Sequence, residues 1–147
     1  MLFRSNNGMF YPCGRDKNFR PVLVFNAKKI DLKDFESSLK ATIFVHEQII
    51  NNMFLPGQVE SWVIIYDLAG MGVTEIPTGT LKNMLQKMSL NYGGRLYRLW
   101  VVNAPMTVSL SWKIVSAFLD QVTVDKIKIS KSSTDKDIWN LCDKSQV

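Results

Sequence analysis

The sequence predicts an α/β domain built on a mostly parallel, or mixed, β-sheet covered by helices. Short apolar runs alternate with stretches of helical periodicity, and two of those runs, residues 62–66 (WVIIY) and 99–102 (LWVV), are apolar on both faces, as buried parallel strands are. Size is the third observation. With 147 residues, 46% apolar and 21% charged, the chain suits one globular domain and is too short to divide into two.

Taken in order, residues 14–18 are turn-like, and residues 21–25 (PVLVF) form a β-branched and aromatic strand. A polar link, 26–34, leads to a helix over 39–54, where Leu39, Ile43, His46, Ile49, Ile50 and Met53 recur at three- and four-residue spacing until Pro56-Gly57 stops it. After the strand at 62–66, Gly70 and Gly72 punctuate the chain. A second helix starts near Pro77, carries Leu81, Met84, Leu85, Met88 and Tyr92 on one stripe, and closes at Gly93-Gly94. The strand at 99–102 ends at Asn103-Ala104-Pro105. A helix over 108–120, a short strand over 124–129 and a last helix with a capping box of Thr134 and Asp137 complete the chain.

The helix over 108–120 is too apolar for one sheet face. At about 100° per residue, Ser109, Lys113, Ser116 and Asp120 fall within an arc of roughly 60°, and only Ser111 lies outside it among the polar residues. Apolar side chains cover about 220° of the rest, against the roughly 100° that a surface helix needs. Either the helix is wedged between the sheet and another helix, or its second apolar side lines a cavity or touches a bilayer and the helix swings as a gate.

Composition bounds the partners. No apolar stretch approaches the roughly 20 residues that cross a bilayer, and residues 1–11 lack the pattern of a secretory signal, so a cytosolic setting is the expectation. Cys13 and Cys142 lie near opposite ends with no metal-ligand spacing, which reads as structural thiols. The formal charge of +5 is spread along the chain and does not by itself choose between an anionic membrane and nucleic acid.

Enzyme motifs are fragmentary. Cys13 to Arg20 is Cys-x6-Arg, one residue longer than the phosphate loop of cysteine phosphatases, and Asp67 to Gly70 is a D-x-x-G turn without any phosphate-binding loop. A G-x-S-x-G elbow is absent. The single histidine, His46, shares its apolar face with Ile43 and Ile50, where a packed core residue is favoured over a base. The expectation is a protein without catalytic residues, cofactor or metal.

Several short motifs, in order, resemble the CRAL-TRIO domain family of phosphatidylinositol and phosphatidylcholine transfer proteins: Tyr11-Pro12, Arg20-Pro21-Val22, Asp67-Leu68 with Gly70, Asn103-Ala104-Pro105, Phe118-Leu119-Asp120 followed by Val122-Thr123-Val124 and Lys126-Ile127, and Ser132-Ser133. The resemblance covers roughly residues 11–142. It implies an apolar cavity floored by the sheet and closed by a gating helix, binding a phospholipid such as phosphatidylinositol or another hydrophobic ligand. Transient contact with an anionic membrane surface, peripheral association in the cytoplasm and no nucleic-acid partner follow from it. A domain of the same fold that binds protein without transferring lipid is the alternative.

Candidate residues for cavity or gate are Met84, Met88, Trp112, Val115, Phe118, Leu119 and Val122, and for the headgroup Lys126 and Thr123. Lys126 matches a family lysine that supports phosphoinositide binding. Departures from the family pattern fall at Gly94, where an inositol-contacting glutamate is expected, and at Trp62 and Ile64, which replace the small hydroxyl residues that hold a choline lipid in some members. The helical lobe that usually precedes Tyr11 and the segment after the last helix are missing, so residues 1–147 read as one domain, either a minimal member or a fragment.

Overall fold

A computed structural model describes residues 8–31, 33–71, 78–132 and 136–142. Five strands, β1 (Phe10–Arg15), β2 (Pro21–Asn26), β3 (Trp62–Asp67), β4 (Leu96–Val102) and β5 (Ile127–Ile129), lie side by side in sequence order. The first pair is antiparallel and the other three are parallel, which makes the sheet mixed. Helices α1 (Phe35–Met53) and α2 (Thr78–Tyr92) carry the chain from β2 to β3 and from β3 to β4. Then α3 (Val108–Ser116) and α4 (Gln121–Asp125) lead to β5, and α5 (Lys136–Leu141) follows.

Each parallel strand joins the sheet on the same side of its predecessor. Right-handed crossovers that progress in one direction must put their helices on one face of the sheet. Alternation along β3 shows the result. Trp62, Ile64 and Tyr66 face the helices, while Val63 and Ile65 face away and pack with Val22, Trp100 and Val102 beneath Ile138 and Cys142 of the α5 region. Burial on that far face pushes the Cys142 thiol up to about 11, with the nearby Asp16 and Cys13 adding to the shift, so it is an inert packing thiol.

Several expectations need correction. Strand β1 was not foreseen: its sequence FYPCGR holds Pro12 and Gly14, both poor strand residues, and its pairing with β2 is irregular between Pro12 and Arg15. The first helix begins at Phe35 instead of 39, because Asp34 caps it by accepting from the Ser37 amide at 3.1 Å. The helix expected over 108–120 ends at Ser116. The strand expected over 124–129 is only Ile127–Ile129, since Val124 belongs to α4, which Asp120 starts by accepting from the Thr123 amide at 2.9 Å and its hydroxyl at 2.7 Å. Gly72, Pro77, Ser133, Thr134 and the side chain of Leu81 lie outside the described residues.

Asp67-x-x-Gly70 is a turn after a strand. The Asp67 carboxylate accepts from the Ala69 amide at 2.9 Å and from the Asn103 amide group at 2.8 Å, and Gly70 adopts a φ of 75°. A buried carboxylate holds the β1–β2 turn: Asp16 accepts from the amides of Asn18 and Arg20 at 2.8 and 2.9 Å and pairs with the Arg20 guanidinium at 3.1 Å. The Lys17 amide donates to the Leu141 carbonyl at 2.9 Å, which ties this turn to the end of α5. Asp16→Ala therefore strands two amide donors and an arginine at once, and should cost about 1–3 kcal/mol of unfolding free energy, read from urea denaturation at neutral pH.

Candidate functional site

Between the sheet and its helices lies an apolar cavity of about 220 Å³. Its floor is the helix-facing side of β3, β4 and β5, with Ile64, Tyr66, Leu99, Val101 and Ile127. Met84, Leu85 and Met88 of α2 form one wall, and Val108, Trp112 and Val115 of α3 form the roof. Of the predicted cavity residues, Met84, Met88, Trp112, Val115 and Leu119 line it. Phe118 and Val122 do not: they are 49% and 65% exposed on the outside of the same segment.

The two apolar sides of the roof are thereby separated. Val108 and Val115 are buried, and Ser111, the polar residue outside the polar arc, turns toward the cavity beside Trp112. Leu110 and Ile114, on consecutive turns of α3, are 68% and 55% exposed, and Phe118 continues their line with Met106 and Val122 exposed at either end. This outer side also meets α2: the Lys82 ammonium lies 3.6 Å from the Phe118 ring centroid, a cation–π contact worth about 0.5–1 kcal/mol at an exposed site.

Both predicted headgroup residues reach the cavity, in different chemical states. The Thr123 hydroxyl donates to Asp120, whose carboxyl is held below its usual range by the hydroxyl and amide of Thr123. Its proton is engaged, and its lone pairs repel an anionic oxygen. Lys126 ends α4 with its backbone amide on the Thr123 carbonyl at 3.1 Å, and its side chain lines the cavity as a half-buried cation. Gly94 lines the cavity at a φ of 81°, a conformation that a glutamate would adopt only with strain. Trp62 and Ile64 line the cavity with large apolar side chains that carry no hydroxyl.

Sequence reasoning missed the aromatic end of the cavity. Phe10 of the unforeseen β1, Phe25, Trp62, Tyr66 and Tyr92 gather there around His46, which is 3% exposed. Period-two reading of β3 would have placed Tyr66 with Trp62; no comparable signal marks Phe10. Burial pushes the His46 imidazole down to about 4, against smaller opposing effects from the Thr42 carbonyl and the Glu47 carboxylate. Among the described residues no group of three His, Cys, Asp or Glu side chains is arranged to hold a metal ion. No helix there is long and apolar enough to cross a membrane.

The depressed imidazole makes stability depend on pH. Unfolded, His46 takes a proton below about 6.5; folded, it stays neutral until about 4, so its contribution is complete above 6.5 and is lost as pH falls between those values. The loss should approach roughly 3 kcal/mol. Urea midpoints measured from pH 7 to pH 4 should fall less steeply in His46→Phe, which keeps an aromatic ring and removes the titration.

Known proteins resemble this arrangement over most of the chain. A CRAL-TRIO domain-containing protein of Schizosaccharomyces pombe is 27% identical over 130 residues, covering 87% of this chain and 29% of its own length. The phosphatidylinositol/phosphatidylcholine transfer protein SFH4 of Arabidopsis thaliana is 29% identical over 157 residues, covering 94% of this chain and 26% of its own. The crystal structure of Sfh5 superposes with a TM-score of 0.73 at 16% identity, over 97% of this chain and 52% of that one, which shows a shared fold. The chain thus spans less than a third of either curated relative. The CRAL/TRIO domain family matches residues 5–147, and this chain belongs to that family.

Proposed function

We propose that this domain shelters one hydrophobic lipid, a phospholipid such as phosphatidylinositol, and transfers or presents it between membranes as a peripheral cytoplasmic protein. The carrying observation is the two-sided roof: α3 closes an apolar cavity with one side and exposes Leu110 and Ile114 with the other. Membership of the CRAL/TRIO family and the likeness to a phosphatidylinositol/phosphatidylcholine transfer protein support the same reading.

Size makes the roof a gate. Pockets that bury a drug-sized ligand run to roughly 300–1,000 Å³, so a cavity of about 220 Å³ admits two acyl chains only when α3 and the turn after it move outward. Fully burying a side chain such as Leu110, Ile114 or Phe118 is worth about 1.5–3 kcal/mol from full exposure, and the part of that gain still open to these half-exposed residues offsets the packing of Val108 and Val115 and the Lys82–Phe118 contact that hold the roof closed. A bilayer surface therefore favours the open roof, and each acyl methylene that enters the cavity adds about 0.8 kcal/mol. Lys126 supplies the cation for an anionic headgroup. No step in this cycle requires a catalytic group.

Phosphatidylinositol transfer between vesicles, together with mass spectrometry of lipid that co-purifies, tests the reading. Phe118→Asp removes an exposed ring and places a carboxylate beside Lys82, so unfolding free energy should change by no more than about 0.5 kcal/mol. Vesicle transfer should nevertheless fall at least tenfold, because the new charge opposes insertion into lipid. Unfolding of the variant, or unchanged transfer, counts against a membrane-facing gate. Lys126→Ala should weaken phosphatidylinositol binding about fivefold, a loss on the order of 1 kcal/mol, and leave phosphatidylcholine unchanged. A wild-type chain that neither carries nor moves lipid would support a protein-binding domain of this fold instead.

A further inference from the structure

Among the polar groups that line the cavity, His46 has a defined chemical state. Its Nδ1 lies 2.8 Å from the Thr42 carbonyl oxygen, which can only accept, so Nδ1 carries the hydrogen. Burial keeps the ring neutral at pH 7, and Nε2 is therefore a bare lone pair. Among the described residues nothing donates to it. Two donors of its surroundings are engaged: the Thr42 hydroxyl donates to the Ser38 carbonyl at 2.9 Å, and the Tyr92 hydroxyl to the Glu47 carboxylate at 2.7 Å.

Three aromatic rings hold the imidazole in place. Tyr92 stacks on it with centroids 4.9 Å apart, Trp62 meets it at a steep angle at 4.6 Å, and Phe10 packs against it at 4.9 Å. A water molecule in such surroundings finds one strong acceptor and rings elsewhere, whereas buried waters normally make two to four hydrogen bonds. An anionic phosphate brings only acceptors and is mismatched to Nε2. A hydroxyl group attached to hydrocarbon matches on both counts, donating to Nε2 while its carbon skeleton lies against Phe10 and Trp62.

We propose that His46 is a recognition group inside the cavity for an uncharged lipid that carries a free hydroxyl, received through the Nε2 lone pair. The inference rests on the reading that this cavity holds lipid. It adds a cargo class to the anionic headgroup expected at Lys126 and assigns it to a different residue.

Hexadecanol and hexadecyl methyl ether share a chain and an ether or hydroxyl oxygen, and only the alcohol can donate. Their affinities for the whole chain, read from tryptophan fluorescence of the wild type and of His46→Phe, separate the possibilities. The alcohol should bind about tenfold more tightly than the ether to the wild type, and the ratio should fall to near one in His46→Phe. The imidazole nitrogen spectrum of the wild type, which does not depend on the variant folding, should show the Nε2 resonance shift on adding alcohol and not on adding ether. Equal affinities in the wild type, or an Nε2 resonance that the alcohol leaves in place because water already occupies it, overturn the inference while the lipid cavity stands. If phosphatidylinositol, the alcohol and the ether all fail to bind, the lipid reading itself falls, and the inference with it.

Discussion

The direction in which the parallel strands add to the sheet governs the rest of the molecule. Because β2, β3, β4 and β5 succeed one another without reversal, the crossovers deliver α1, α2 and α3 to the same face, leaving α5 to cover part of the other. Three helices over one twisted face do not close as tightly as a sheet packed from both sides. The volume left between them is the cavity, and its shape is set by which helix is least firmly held.

That helix is α3. With nine residues it lacks the length to be stable by propensity, and only Val108 and Val115 of its side chains are fully buried. By contrast α1, with nineteen residues, buries Leu39, Val45, His46 and Ile49 against the sheet and forms the fixed wall. The His46 ring belongs to this fixed wall, while the exposed apolar line from Leu110 to Phe118 belongs to the movable roof. On the proposed reading, recognition and gating fall to elements of different stability, so that movement of the roof leaves the imidazole in place.

What the sequence revealed follows the strength of local signals. Strands β3 and β4 were legible because both of their faces are buried, and the two-sided character of α3 was legible because Leu110, Ile114 and Phe118 have no polar counterparts at their angles. β1 was hidden by Pro12 and Gly14, which an edge strand tolerates and a central one would not. Val124, expected to open a strand, lies in a helical turn because Asp120 is spaced to accept from both the amide and the hydroxyl of Thr123. An Asp-x-x-Thr pattern was the available signal, and its local hydrogen bonds outweigh β propensity over so short a segment.

Specificity was the least legible property because it depends on hydrogen positions. From spacing alone His46 belongs to the core, and it is indeed buried; only the Thr42 carbonyl determines that its other nitrogen is an acceptor. Likewise Thr123 and Lys126 were both candidate headgroup partners, and only the structure shows that Asp120 engages the threonine proton. Gly94, with its backbone at φ 81°, and the hydrocarbon of Trp62 and Ile64 offer a headgroup neither a carboxylate nor a hydroxyl. Selection must then come from the groups that still have hydrogen-bonding capacity inside an apolar enclosure. In the proposed cycle a cation at one end would favour a phosphate and a neutral acceptor at the other a hydroxyl, a selection by charge and donor count more than by the shape of the chains.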